Sequence, residues 1–175
     1  MGTLNEGYND YGDVSRWSNR VSAEGIFLIK ALYIPILLPG YWALVVADIQ
    51  GRRTHYYDSL LAESSDRGLK YGEATKKYLA DVALKCALAI SSETLDIASW
   101  EIVLRNAADV PEQENSSDCG VFTPTFVYSM SLGKRPRFSQ VDVPVFRRRI
   151  ALGLLRKKTN RSHKIIIIKT VPGGV

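Results

Sequence analysis

From position 26 to position 49 nearly every residue is apolar, a run long enough to raise a membrane span. Lys30, Pro35, Pro39 and Gly40 interrupt it. Two buried strands joined by a Pro-Gly turn account for the pattern better. The first is expected over 27–38, and Pro35 inside it points to a sheet edge or a bulge. The second covers 42–49 (WALVVADI), with a tight turn at 50–53 and a third strand at 54–58. Together they predict a meander of about three strands. Over 71–90 the period changes. Tyr78, Leu79, Val82, Ala83, Cys86, Ala89 and Ile90 recur at steps of three and four, which predicts one amphipathic helix. A short strand is expected over 100–105 and a polar loop over 110–118. An apolar helix follows over 119–132, with Pro124 in its first turns. Asp142 or a neighbour caps a last helix reaching about position 157, and Pro144 lies near its first position. The four isoleucines at 165–168 read as a strand or a docked tail. Residues 15–26 suggest a short helix or turn, and 1–14 and 170–175 are expected to be poorly ordered.

With 175 residues the chain suits one domain around one core. A net charge of +5 and a pI near 9.2 favour acidic partners without choosing among protein, nucleic acid and anionic surfaces. The basic run from Arg147 to Lys164 reads as a solvated face, or as a nuclear-localisation or nucleic-acid patch. Aromatic residues do not interleave with it beyond Phe146, so nucleic acid is not the expected partner. Two cysteines, Cys86 and Cys119, are too few for a disulfide scaffold, and with two histidines a zinc site is not expected. No cofactor is expected. The polar, acid-containing N-terminus is no secretory signal, and Glu6 argues against myristoylation at Gly2. An intracellular monomer is the expectation.

The candidate chemistry lies in PEQENSSDCGVF, residues 111–122. Cys119 stands at the mouth of a helix whose free N–H groups favour a thiolate. Gln113, six positions earlier, has an amide suited to steadying an oxyanion. Cysteine attack on an acyl group is the first hypothesis. Each residue taken alone has a plainer reading: Cys119 and Cys86 as buried structural thiols, Gln113 as a loop residue, Trp42 as core, Asp58 as the cap of the turn at 58–59. Asp118 is expected to cap the helix, where its carboxylate opposes thiolate formation.

Three segments together resemble the ubiquitin-like-protein-specific cysteine proteases, the Ulp/SENP family that removes SUMO and related modifiers. YIPILLPGYWALVVADIQGRRTHYYDSL is similar to that family's Ile-Pro-Ile, His-Trp and Asp-Ser-Leu pattern. PEQENSSDCGVF resembles its Pro-x-Gln-x-Asn-x-x-Asp-Cys-Gly block, and FSQVDVPVFRRRIALGLL its closing Phe-x-Gln and arginine-rich helix. The resemblance spans roughly residues 20 to 158 and implies an α+β fold of the papain-like cysteine-protease type, with a small mixed or antiparallel sheet. It implies a nucleophile at Cys119, an oxyanion-hole amide at Gln113 beside the Cys119 N–H, an orienting acid at Asp58, and a tryptophan against a modifier's Gly-Gly tail at Trp42. The implied partner is a SUMO-like modifier or its conjugates, and a nuclear compartment is implied by the same resemblance. The family's upstream Trp-Leu-x-Asp segment has no match, since Trp17 precedes Ser18 and Asn19; the domain reads as shortened at its N-terminus.

One position departs. Tyr41 stands where the family has its catalytic histidine, 17 residues before Asp58 as the pattern requires (58 − 41). Histidine titrates near neutrality and can take and return the thiol proton. A phenol with a pKa of about 10 is ionised to about one part in a thousand at pH 7. The expectations are impaired peptidase activity, a gain in rate from Tyr41→His, and, as the alternative, a non-catalytic module that binds a ubiquitin-like modifier. A basic structural or nucleic-acid-associated domain is the third class. Neither remaining histidine replaces the base: His55 lies three residues before Asp58 on one strand and faces the other way, and His163 reads as a solvated residue of the basic segment.

Overall fold

The computed structural model describes residues 27–61, 64–90, 96–106 and 108–155. The expectations placed on 1–26 and 156–175, Trp17, His163 and the isoleucine run among them, lie outside the described residues, as does the side chain of Cys86.

Among the described residues, four strands form one sheet in the order β1 (Ala31–Leu38), β2 (Tyr41–Asp48), β3 (Arg53–Tyr57) and β4 (Glu101–Leu104). The first three are antiparallel and β4 runs parallel to β3, so the sheet is mixed. Pro39 and Gly40 close the first hairpin, with Leu38 opposite Tyr41. Gly40 takes a φ of 84°, open to glycine at no steric cost. In the second hairpin the Gly51 N–H donates to Asp48 Oδ1 at 2.9 Å. Among the described residues β1 lies at the sheet edge, a place that tolerates Pro35. It begins at Ala31 because Phe27 and Leu28 are helical; an apolar run alone does not separate the two conformations.

β1 alternates, burying Leu32, Ile34, Ile36 and Leu38 on one face. The central strand β2 is buried on both faces from Ala43 to Ala47, which explains its unbroken apolar run. One face packs against α1 (Ser64–Ile90) through Leu79, Val82 and Ala83. The other, with Leu44, Val46 and Tyr57, packs against Val121, Phe122 and Phe126 of α2 (Cys119–Ser131). α3 (Val143–Leu155) joins that side through Val143 and Phe146.

α1 starts two turns earlier than its apolar period indicates. The extra turns carry Gly68, a poor helix former whose value is tertiary. A Cβ there would lie 2.4 Å from Leu104 Cδ2 and 3.0 Å from Tyr56 Cδ1, and at Gly72 2.7 Å from Ile102 Cγ2. The two glycines seat α1 directly on β3 and β4. Before α3, the Ser139 N–H donates to Asp142 Oδ2 at 2.9 Å, and a 3-10 turn at Gln140–Asp142 leads into the helix. Pro144 is its second residue.

Candidate active site

Cys119 is the first residue of α2 and is buried. The Asp118 carbonyl accepts from the N–H of Val121 at 2.7 Å and of Phe122 at 3.0 Å. The N–H groups of Cys119 and Gly120 precede those bonds and form the positive end of the helix. Asp118 occupies the cap position but its side chain caps nothing, which corrects the expectation. Its backbone is helical (φ −94°, ψ −1°), and the carboxylate turns to other partners. Oδ2 accepts from Asn115 Nδ2 at 2.7 Å and from Gln140 Nε2, and Oδ1 from Arg147. The Asn115 hydrogen bond first, then Arg147, holds the carboxyl below its usual range. Arg147 therefore balances the charge that was expected to oppose a thiolate.

Gln113 is buried and tied to the turn after β3. Its N–H donates to the Ser59 carbonyl at 2.9 Å, and its Oε1 accepts from Ser59 Oγ at 2.6 Å. Nε2 donates to the Asn115 carbonyl. An amide nitrogen carries two protons, so one donor remains for an oxyanion. Asn115 holds the loop with Oδ1 accepting from the N–H groups of Ser117 and Asp118, both at 3.0 Å.

Tyr41 opens β2 and Asp58 follows β3; antiparallel pairing brings these two ends together. Asp58 is 1% exposed. Its Oδ1 accepts from the Leu60 N–H at 2.9 Å, so it does cap its own turn, and its Oδ2 accepts from the Tyr56 hydroxyl at 3.4 Å. The Tyr41 hydroxyl and the Asp58 carboxylate also interact. Burial pushes the Asp58 carboxyl up, against the Leu60 N–H and the Arg67 charge. Burial and the Asp58 charge push the Tyr41 phenol up, and Arg67 opposes them only in part. Arg67 was not singled out in the sequence. It lies on α1, next to Gly68, and Nη1 donates to the Tyr41 hydroxyl. Its guanidinium carbon is 5.3 Å from the Tyr41 ring centroid. Starting the helix pattern at Tyr71 leaves it outside the expected element.

Trp42 faces the other way. A Cβ at Gly120 would lie 3.7 Å from Trp42 Cδ1, and Thr123 Oγ1 donates to the Trp42 carbonyl at 3.4 Å. Adjacent residues of one strand thus reach Asp58 on one side and the first turn of α2 on the other. His55 is buried on the α2 face, with Nδ1 3.2 Å from Arg105 Nη2 and its ring 6.5 Å from that of Tyr57. Burial first, then Arg105, holds its pKa down. It does not partner Asp58. No group of three His, Cys, Asp or Glu suited to a metal ion occurs among the described residues, and no described helix is long and apolar enough to cross a membrane.

The profile of the Ulp1 protease family, C-terminal catalytic domain, matches residues 4–159. A sentrin-specific protease of Caenorhabditis elegans is 30% identical over 148 residues, covering 85% of this chain and 19% of that protein. A putative ubiquitin-like-specific protease 1B of Arabidopsis thaliana is 33% identical over 156 residues, covering 88% of this chain and 42% of that protein. The solved C-terminal Ulp1 protease domain in complex with Smt3, the yeast ortholog of SUMO, superposes with a TM-score of 0.67 at 23% identity, covering 86% of this chain and 62% of that one. This chain therefore spans less than half the length of the curated relatives named and about three fifths of the solved domain. The fold is α+β, of the papain-like type those Ulp1 structures share. A family profile covering most of the sequence, on a fold that sets a cysteine at the head of α2, establishes that the chain belongs to the Ulp1 protease family.

Proposed function

We propose that this chain is a cysteine-peptidase domain whose inherited reaction, hydrolysis of the peptide or isopeptide bond after the Gly-Gly tail of a SUMO-like modifier, is slow or lost. Cys119 is the nucleophile. The remaining Gln113 amide proton and the Cys119 N–H receive the oxyanion. Asp58 orients the side chain at position 41.

The observation that carries the reading is the Tyr41–Asp58 pair. The phenol is held protonated by burial and by the adjacent carboxylate, so it donates a hydrogen bond where the reaction needs a base. It cannot take the thiol proton, so the relay from thiol to leaving amine is broken at its first step. General acid–base assistance of this kind is worth about 10²–10⁴ in rate. The helix N-terminus and the oxyanion donors do not depend on position 41, so slow acylation of Cys119 survives. Trp42, seated on Gly120, supports a second reading in which the chain binds a ubiquitin-like modifier without turning it over.

A SUMO carrying a thiol-reactive C-terminal warhead tests the nucleophile and the pocket together, and a SUMO–fluorophore substrate tests turnover. The expected result is slow labelling that Cys119→Ala abolishes, with hydrolysis close to background. Turnover equal to that of an active family member refutes the impairment. Binding with neither labelling nor turnover selects the non-catalytic module.

A further inference from the structure

We propose that Arg67 is a positioning residue that holds the side chain at position 41 against Asp58 in a non-basic arrangement, so that restoring histidine at position 41 does not by itself restore efficient turnover. The inference rests on the cysteine-peptidase reading above.

The geometry begins with α1. Gly68 lets the helix settle onto Tyr56 and Leu104, and this approach brings the preceding residue, Arg67, to the open end of β2. Its guanidinium donates to the Tyr41 hydroxyl and lies beside the Tyr41 ring. The phenol oxygen then accepts from Arg67, with the Asp58 carboxylate and the Tyr56 hydroxyl as its other polar neighbours. The lone pair that meets Arg67 is thereby withdrawn from a thiol proton. The arginine also sets its positive charge against the buried Asp58 carboxylate, the charge that a catalytic imidazolium would need for itself.

Among the described residues, the titratable and charged groups facing position 41 are Tyr56 of β3, Asp58 just after it and Arg67 from α1. Leu38, opposite on β1, adds no charge, and the contact of α2 with this end of β2 is the apolar one of Gly120 with Trp42. A histidine placed among them would share one carboxylate with a guanidinium. Like charges disfavour the imidazolium and with it the thiolate–imidazolium pair. Arginine does not neutralise itself to relieve the conflict.

Three variants test this: Tyr41→His, Tyr41→His with Arg67→Gln, and Tyr41→His with Arg67→Lys. Hydrolysis of the SUMO–fluorophore is followed from about pH 5.5 to 9, alongside warhead labelling of Cys119. The Gln double variant is expected to exceed Tyr41→His by about tenfold in kcat/KM, with the alkaline limb of its profile about one pH unit higher. The Lys double variant keeps a charge and is expected to keep the low limb, which a merely structural role for Arg67 does not predict. Equal rates and superimposed profiles for Tyr41→His and the Gln double variant overturn the proposal while labelling persists, leaving the peptidase reading intact. Absence of labelling in all three and in the natural chain overturns that reading and the proposal with it.

Discussion

Replacing Gly68 by alanine probes the joint on which the site is mounted. At an open helical position, glycine to alanine stabilises by up to about 1 kcal/mol through backbone entropy. Gly153 on α3 is such a position, with nothing within 4 Å of a built Cβ. Gly68 is not. A methyl there would meet Leu104 Cδ2 at 2.4 Å and Tyr56 Cδ1 and Cγ at 3.0 and 3.1 Å. The leucine methyl is the end of a flexible side chain and can swing aside. The tyrosine ring is 1% exposed and hydrogen-bonded to Asp58, so it cannot follow. Overpacking of this kind costs about 1–3 kcal/mol. The propensity gain offsets part of it, leaving Gly68→Ala between neutral and about 2 kcal/mol destabilised. The cleaner quantity is the difference between Gly68→Ala and Gly153→Ala, which isolates the steric term. Urea unfolding with an unchanged m-value measures it. If the two substitutions stabilise equally, α1 does not rest on β3 through Gly68 and the placement of Arg67 loses its support.

Burial raises the Asp58 carboxyl above its unfolded value of about 3.9. Its contribution to stability is therefore full below that value and lost as the pH rises through the raised one. Asp58→Asn is expected to gain on the order of 1 kcal/mol at neutral pH, about 2–4 °C in Tm, and nothing near pH 3; a gain that does not vary with pH argues against a buried charge. Ser59→Ala removes the 2.6 Å bond that fixes Gln113 Oε1. It is expected to slow warhead labelling about fivefold, the rate equivalent of one net hydrogen bond of about 1 kcal/mol, and unchanged labelling would mean that Gln113 is oriented by other contacts. The Asp118 carboxyl is depressed, so its stabilisation is present above about 3.9 and disappears as the pH falls through the lower folded value. Arg147→Ala, at a half-exposed arginine, is expected to cost about 1 kcal/mol at pH 7 and little below pH 3, and to slow alkylation of Cys119 by iodoacetamide; a cost that persists in acid points to lost packing instead.

The strands were legible because their signals are local. The apolar run, the Pro39-Gly40 break and the Pro35 interruption all operate within a few residues, and β2 and β3 fall within one residue of their expected bounds. Cys119 and Gln113 were legible for a related reason, since one short block carries both. Tertiary structure decided the rest. Gly68 hid the start of α1, because a residue that weakens a helix alone strengthens this one by letting it approach the sheet. Arg67 had no marker, as it meets Tyr41 from 26 residues away. Asp118 was misassigned because an aspartate before a helix has several possible partners, and here Gln140 and Arg147, distant in sequence, displaced the backbone N–H.

The pleat of β2 divides labour between consecutive side chains. Because Tyr41 and Trp42 point into different layers, a lineage can exchange the residue beside Asp58 without disturbing the aromatic contact with the first turn of α2. Catalysis and grip are then separable traits. A sequence that has surrendered one can go on being selected for the other.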